Sequence, residues 1–276
     1  VQDEVTYYYR VTVVDTDGYE SGFSNEVNGF VDFLPPQISI SPDSLGFEVN
    51  TNVGFEQAQP LTISNTGGAP LEVEIYAGYP LVTDIDGNVY QTVQIGDQLW
   101  MAENLKVTHY NDGTEIPTGY SNSEWSNLST GAYAVYDDNP ANADVYGNLY
   151  NWYAVETGNL APEGWHVATD DEYTALSDYL GGTSVAGGKI KETGYDHWNS
   201  PNTGATNESG FTGLPGGYRN NANGNYVNMG LYGYFWSSTE NFSNLAWYRG
   251  LHYSNSGIYR YDVNKEGGFS VRCVRD

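Results

Sequence analysis

Two kinds of residue are nearly missing from these 276 amino acids: there is one cysteine, Cys273, and there are 10 lysines and arginines against 35 aspartates and glutamates. A single thiol forms no internal disulfide, so stability has to come from packing and from bound ions. The formal charge of -25 leaves too few cations to build a phosphate-tracking patch, which excludes nucleic acid as a partner. An anionic membrane surface repels the chain for the same reason. No apolar run approaches the roughly 18 to 20 residues that cross a bilayer, so membrane insertion is not expected.

What is abundant is equally telling. The chain holds 25 Tyr and 33 Gly, with many Asn, Ser and Thr. That is the usage of exported β-rich proteins, and an extracellular or cell-surface location is expected. Val1 is followed at once by QDE, so an exported protein is expected here in mature or clipped form. The length suffices for two or three domains with real cores.

Three regions follow one another. Residues 1–34 contain VTYYYRVTVVDTDGYESGFSNEV, in which Tyr7, Tyr9, Val11 and Val13 alternate with Tyr8, Arg10, Thr12 and Val14 ahead of a DTDG turn. This is a β-hairpin, and its wording resembles the last two strands of a fibronectin type III domain. Residues 35–80 open on Pro35-Pro36 and carry short strands around the turn NTGGAP; ISPDSLGF followed by LTISNTGGAPLEV resembles the opening half of Hydin-type immunoglobulin-like domains. Both resemblances cover only part of a β-sandwich.

Residues 81–276 read as one domain. The fragments DIDGNVYQTVQIGDQLWMAENLK, YGNLYNWYAV, GWHVATDDEYTALSDYLGG, GATNESGFTGLPGGYR, YFWSSTE and GGFSVRCVRD resemble, in order and spacing, the Fibrobacter succinogenes major paralogous domain. Thr169 and Glu172 form a capping box, Tyr173, Leu176 and Leu180 form one apolar stripe, and Gly181 ends the helix. A second helix is expected across YGNLYNWYAV, from the spacing of Leu149, Trp152 and Tyr153, and everything after Gly204 reads as strand and turn. Two early helices, long Gly-rich loops and a closing G-F-x-V-R strand resemble the C-type lectin fold. The fold class is thus mainly β with a small α+β domain: partial immunoglobulin-like strands followed by a C-type-lectin-like domain.

That resemblance reaches both catalytic and binding proteins, so chemistry has to be argued from residues. Cysteine-based oxidation, as in formylglycine-generating enzymes, needs more thiols than Cys273 alone, which alternates with Val271 and Phe269 toward one face and reads as core. His109, His166, His197 and His252 are scattered with no pair at ligand spacing, and no nucleophile elbow occurs. The acidic pair Asp137 and Asp138 reads as a solvated turn, and Asp170 and Asp171 as first-turn helix charges; a glycosidase dyad would leave no local signature. No enzyme activity, cofactor or metal is expected, with calcium open at the two D-x-D-G sites, Asp15 with Asp17 and Asp84 with Asp86, where tight turns account for the same residues.

What remains is recognition by aromatics in NFSNLAWYRGLHYSNSGIYRYDVNKEGG, the segment that carries the ligand face in variable receptors of the fold it resembles. Phe242, Asn244, Tyr253, Asn255, Tyr259 and Tyr261 are the candidates for one exposed ligand or partner face, while Trp236 and Trp247 are expected in the core. Arg272, opposite Cys273 in alternation, is expected to meet a carboxylate, Glu172 or Glu240. The reading is a non-catalytic surface protein, a filament or adhesin subunit. Its hairpin, through Tyr7, Tyr9, Val11 and Val13, either packs on its own residues 37–78 or completes a neighbouring copy, and the short stiff PPQ linker favours the neighbour and hence a homopolymer. The alternatives are a carbohydrate-binding module clipped from a larger secreted protein, with a glycan or surface protein as partner, and an oxidase.

Overall fold

The computed structural model describes residues 38–41, 62–65 and 80–275. The chain divides into two units, Val1–Gly78 and Tyr79–Asp276. In the first, β1 (Ile38–Ser41) and β2 (Thr62–Asn65) pair antiparallel, with Ile38 opposite Asn65 and Ser41 opposite Thr62. In β1, Ile38 and Ile40 alternate with Ser39 and Ser41, the period-2 pattern of a strand. Tyr7, Tyr9, Val11, Val13, Asp15 and Asp17 lie outside the described residues.

The second unit is mainly β with short helices. Its strands are β3 (Val82–Thr83), β4 (Val89–Tyr90), β5 (Thr92–Ile95), β6 (Gln98–Met101), β7 (Tyr133–Ala134), β8 (Leu149–Tyr150), β9 (Trp165–Val167), β10 (Gly216–Arg219), β11 (Tyr226–Met229), β12 (Tyr232–Phe242), β13 (Leu245–His252), β14 (Ile258–Asn264) and β15 (Cys273–Arg275). The helices are α1 (Asn122–Trp125), α2 (Ala141–Tyr146), α3 (Trp152–Val155), α4 (Asp170–Tyr179) and α5 (Ala186–Ile190). One sheet runs β5-β6-β15-β9, and the other, which carries the long hairpin, runs β11-β10-β12-β13-β14.

The tail GGFSVRCVRD joins the two sheets. Gly268 exchanges backbone hydrogen bonds with Arg219 and Phe269 with Tyr150, while Ser270 bonds to Tyr234 and Trp236 on β12. Cys273 and Val274 then face Val167 and His166 on β9, and Val274 also faces Trp100 on β6. Because β15 is buried on both sides, its alternation sorts residues between two cores. Phe269, Val271 and Cys273 enter one cluster with Tyr150, Trp152 and Trp236; Val274 enters the other with Trp100, Tyr173 and Phe211. Cys273 is wholly buried, and burial pushes its thiol well above the ordinary value of 9.0, which leaves it a small apolar wedge and no nucleophile.

Arg272 corrects an expectation. It is fully buried, yet neither Glu172 nor Glu240 reaches it. Its Nε donates to Asn104 Oδ1 at 2.6 Å, Nη1 to the carbonyls of Met101 (2.9 Å) and Phe211 (2.6 Å), and Nη2 to Thr212 O (2.9 Å). Loop carbonyls without a sheet partner need donors, and a guanidinium supplies several in one plane. Glu172 instead caps α4 and binds His166 at 2.8 Å, and Glu240 holds Lys265 at 2.7 Å.

The capping box of α4 forms as expected, with Tyr173 and Leu176 fully buried and Gly181 at φ +100° beyond the last turn. The expected helix over YGNLYNWYAV is shorter: Tyr150 pairs with Phe269, so Leu149 and Tyr150 are strand, and the helix starts after the Asn151 cap. Helices α1, α2 and α5 were not expected. The first carries its own capping box, Ser121 with Glu124. The last packs its backbone so closely on the turn after β13 that a Cβ at Gly187 would lie 2.0 Å from the carbonyl oxygen of Gly257.

Asp170 stands in the first turn of α4, as expected, and in addition is buried, 6% exposed. It takes Arg249 Nη1 at 2.5 Å and Arg260 Nη2 at 2.8 Å, and so binds α4 to the inner face of β13 and β14. Burial raises its pKa, but the hydrogen bonds from Arg260 and Arg249 outweigh burial and hold the carboxyl below 3.8. A depressed folded-state pKa adds stability that is complete above the unfolded value and is lost as pH falls through the folded one. Asp170→Asn is expected to cost about 3 kcal/mol at pH 7, where it strands Arg249, and progressively less as pH drops below ~4; urea melts of both proteins between pH 2.5 and 7 measure the difference.

Candidate functional site

Cross-strand register puts an unusual set of side chains on the outer face of the five-stranded sheet. Tyr234 lies opposite Gly250, which lies opposite Tyr259; Tyr232 lies opposite His252; Trp236 lies opposite Tyr248, which lies opposite Tyr261. Successive strand residues point to opposite faces, so these share one side, while Arg249, Leu251, Ile258 and Arg260 take the other, toward α4. Tyr218 on β10 joins the outer set through Tyr234, with ring centroids 4.9 Å apart.

The face runs from core to solvent. At its base Phe269 and Trp236 are buried, centroids 4.5 Å apart, and Phe269 touches Tyr218, Tyr234 and Tyr248 at 5.5, 5.1 and 4.9 Å. At its margin Tyr261 is 55% exposed and Tyr259 37%. Two pairs of neighbouring rings stand parallel: Tyr232 with Tyr234, 5.3 Å apart and 13° from coplanar, and Tyr259 with Tyr261, 5.9 Å and 19°.

No carboxylate stands among these positions on β12, β13 and β14. Burial, then the neighbouring phenols of Tyr218 and Tyr261, push Tyr248 up to about 12, so it stays neutral at any biological pH. Tyr234 and Tyr218 accept from Asn228 and Asn220. Among the described residues the hydroxyls of Tyr232, Tyr248, Tyr259 and Tyr261 meet no protein group. His252 packs on Tyr232 at 4.3 Å, and its Nδ1 accepts from Asn255 Nδ2 at 3.2 Å, which places the proton of the neutral ring on Nε2.

Of the six candidates read from sequence, Tyr259 and Tyr261 lie on this face. Phe242 and Asn244 are exposed at the β12–β13 turn, at the opposite end of β13 from His252. Tyr253 and Asn255 belong to neither place. Tyr253 is half-buried against the second core cluster, and Asn255 organises a turn, its Oδ1 accepting from Gly257 N and its carbonyl from Lys191 Nζ at 3.0 Å. One continuous exposed face from Phe242 to Tyr261 is therefore corrected. Trp236 is core, as expected, whereas Trp247 is half-buried beneath the Arg260 guanidinium, 3.5 Å from its ring centroid. Tyr218, Tyr232, Tyr234, Tyr248 and His252 escaped the sequence reading, although YGYFW and YRGLH carry the period-2 signal.

The other candidate chemistries are taken up by local structure. Asp84 is buried in its own turn, accepting from Asp86 N, Asn88 N, Asn88 Nδ2 and, at 2.5 Å, Tyr90 Oη. Burial raises the Asp86 pKa, but the Thr108 backbone, the His109 ring at 2.6 Å and the Thr108 hydroxyl bind the carboxylate and leave it lowered. His166 and His197 bind Glu172 and Glu192 respectively. Among the described residues no group of three or more His, Cys, Asp or Glu side chains is placed to hold a metal ion.

With this geometry in view, the family model for the Fibrobacter succinogenes major domain matches residues 93–275. The chain belongs to that family. The match takes in the five-stranded sheet, the tail and the whole tyrosine face of the domain. No curated protein and no solved structure matches the chain. No helix among the described residues is long and apolar enough to cross a membrane.

His252 offers a direct check on the neutrality of the face. Burial and then the Lys191 charge lower its pKa from 6.5. An NMR titration is expected to find the His252 midpoint below that of an exposed histidine, so that the face is uncharged at neutral pH; a midpoint above 6.5 would contradict it.

Proposed function

We propose that the protein is a non-catalytic extracellular recognition protein of the adhesive or surface-layer kind, and that the outer face of its five-stranded sheet is the contact surface. The observation that carries this reading is the face itself: uncharged tyrosines with free hydroxyls on a chain of formal charge -25. Tyrosine gives wide contact at low rotamer cost and joins an apolar body to a polar tip, which suits binding and not turnover. A face built to lie in solvent needs no such rings, since polar or charged residues serve the outside of an antiparallel sheet.

The test is a double variant, Tyr259→Ser with Tyr261→Ser, in the full chain. Both rings are exposed, so the melting temperature is expected to move by no more than a few degrees, while retention on bacterial envelopes and polysaccharide surfaces is lost. Unchanged retention would remove the face from the proposal.

The assembly reading concerns residues 1–33, and what supports it is the sequence alone: two strands of one sandwich type beside an opening half of another. Complementation between copies makes a head-to-tail contact that does not close, hence a filament. Deleting residues 1–33 is expected to give monomers by light scattering where the full chain polymerises. Polymers from the truncated chain, or a full chain that stays monomeric at high concentration, would leave a free-standing binding module.

A further inference from the structure

Away from the tyrosine face, a cleft of about 290 Å³ opens where β4, the loop after β6, α2 and the loop carrying Thr212 and Leu214 meet. Gly147 makes this meeting possible. It follows α2 at φ +73°, and a Cβ on it would lie 2.7 Å from Asn104 Cβ and 2.8 Å from the Leu105 carbonyl oxygen, so only glycine lets the helix settle on the loop. Two buried residues of the lining are fixed as well. Asn104 Oδ1 accepts from Arg272 Nε at 2.6 Å and its Nδ2 donates to the Tyr146 carbonyl at 2.7 Å, while the Tyr90 hydroxyl donates to Asp84 at 2.5 Å and accepts from Lys106 N at 3.1 Å. A cleft braced in this way is formed before any ligand arrives, and binding needs little further ordering of its walls.

The lining joins apolar surface to unpaired charge. Val89, Val145 and Leu214 contribute the apolar part, and the first two are left 51% and 42% exposed. Glu103, Asp144 and Glu192 line the same space against one cation, Lys106. Among the described residues Lys106 pairs with none of the three: Asp144 meets no donor, Glu103 takes only Gln91 N at 3.4 Å, and Glu192 is occupied by His197 at 2.9 Å. Apolar walls beside free carboxylates suit a group with an alkyl stem and a cationic head. The volume sits at the small end of ligand cavities, roughly 300 to 1,000 Å³, so one side chain fits and an oligosaccharide does not. A neutral apolar group would cover Glu103 and Asp144 without giving them a partner, and anions are repelled both by them and by a chain of charge -25. We propose that the cleft receives a lysine side chain of a basic partner protein, its methylenes against Val89, Val145 and Leu214 and its ammonium at Glu103 and Asp144. These two carboxylates stand on separate elements, which a flexible stem with rotatable donors can serve and the planar fork of an arginine cannot. The site shares no residue with the tyrosine face and does not depend on it.

Short blocked Gly-Ser peptides with one central lysine, norleucine or acetyl-lysine should be titrated into the isotope-labelled full chain at about 0.15 M salt and followed by NMR. The lysine peptide is expected to shift the amides of Ala102, Asp144, Val145 and Leu214 along one saturable curve, and the two uncharged peptides to bind about tenfold more weakly or worse. Glu103→Gln with Asp144→Asn, both exposed, is expected to weaken the lysine peptide about tenfold. Glu163→Gln with Asp178→Asn, which removes the same charge from exposed positions outside the cleft, is expected to change it by less than about twofold. The proposal falls if no saturable shift occurs at those amides up to about 10 mM peptide. It falls also if norleucine matches lysine, which leaves an apolar cleft alone, or if the outside pair matters as much as the cleft pair, which leaves the general field. Tighter binding of 1,5-diaminopentane than of the lysine peptide would give the cleft to a free amine instead. Tyr259→Ser with Tyr261→Ser is expected to leave the titration unchanged; loss of binding there would place the peptide on the sheet face and overturn the cleft.

Discussion

The interaction on which the rest of this domain depends is a buried cation satisfying backbone carbonyls. Of the 10 lysines and arginines in the chain, Lys191, Arg219, Arg249, Lys265 and Arg272 are buried. Among the described residues Lys191, Arg219 and Arg272 meet no carboxylate. Lys191 Nζ donates to the carbonyls of Thr203, His252 and Asn255 at 3.0, 3.1 and 3.0 Å, and burial pushes it down to about 8. Arg219 donates to the carbonyls of Gly224 and Tyr120 and lies between Trp125 and Tyr226, 4.5 and 4.8 Å from their ring centroids. Long connections between short strands leave carbonyls with no ladder to join, and inside a core each needs a donor. A cation that reaches three of them at once fixes three loop segments together, and its stem fills apolar space.

This use of cations shapes the exterior. A chain poor in Lys and Arg that places at least these five inside has few left to balance its surface carboxylates. The exposed surface is accordingly acidic, and a surface of one sign resists nonspecific association while leaving neutral ground conspicuous. The outer sheet face is that neutral ground. Asp262, the nearest acid in sequence, takes the opposite side of β14, where Asn241 Nδ2 binds it. Recognition by hydrogen bonds and stacking works on such a face without competition from the field around it.

What the sequence disclosed and what it did not divide along the range of the interaction. The alternation of Phe269, Val271 and Cys273 and the capping box at Thr169 and Glu172 are local, set by strand period and by backbone donors one turn away, and both were legible. The partners of Arg272 are Asn104 and the carbonyls of Met101, at the end of β6, and of Phe211 and Thr212, in a loop, and a carbonyl carries no side-chain signature. Pairing rules that look for carboxylates miss it for that reason. Asp170 was legible as a first-turn acid but not as a buried one, because only the register of β13 against β14 brings Arg249 and Arg260 over it. The candidate site was half legible. Tyr259 and Tyr261 announce themselves by composition, but Tyr232, Tyr234 and Tyr248 join them as one surface only when three strands are aligned.

The tail and the face are one construction. Phe269 enters the first core from the segment that joins the sheets, and the same ring supports Tyr218, Tyr234 and Tyr248 from beneath. A tyrosine held at its base has already lost rotamer freedom on folding, so a ligand that touches its outer edge pays less than the ~0.5 to 1.5 kcal/mol otherwise needed to order such a side chain. Support falls off outward: Tyr248 and Tyr234 touch Phe269, whereas Tyr259 and Tyr261 rest on each other and, through Tyr261, on Tyr248. The rings held by Phe269 are therefore the fixed part of the face, and Tyr259 and Tyr261 are its adaptable margin.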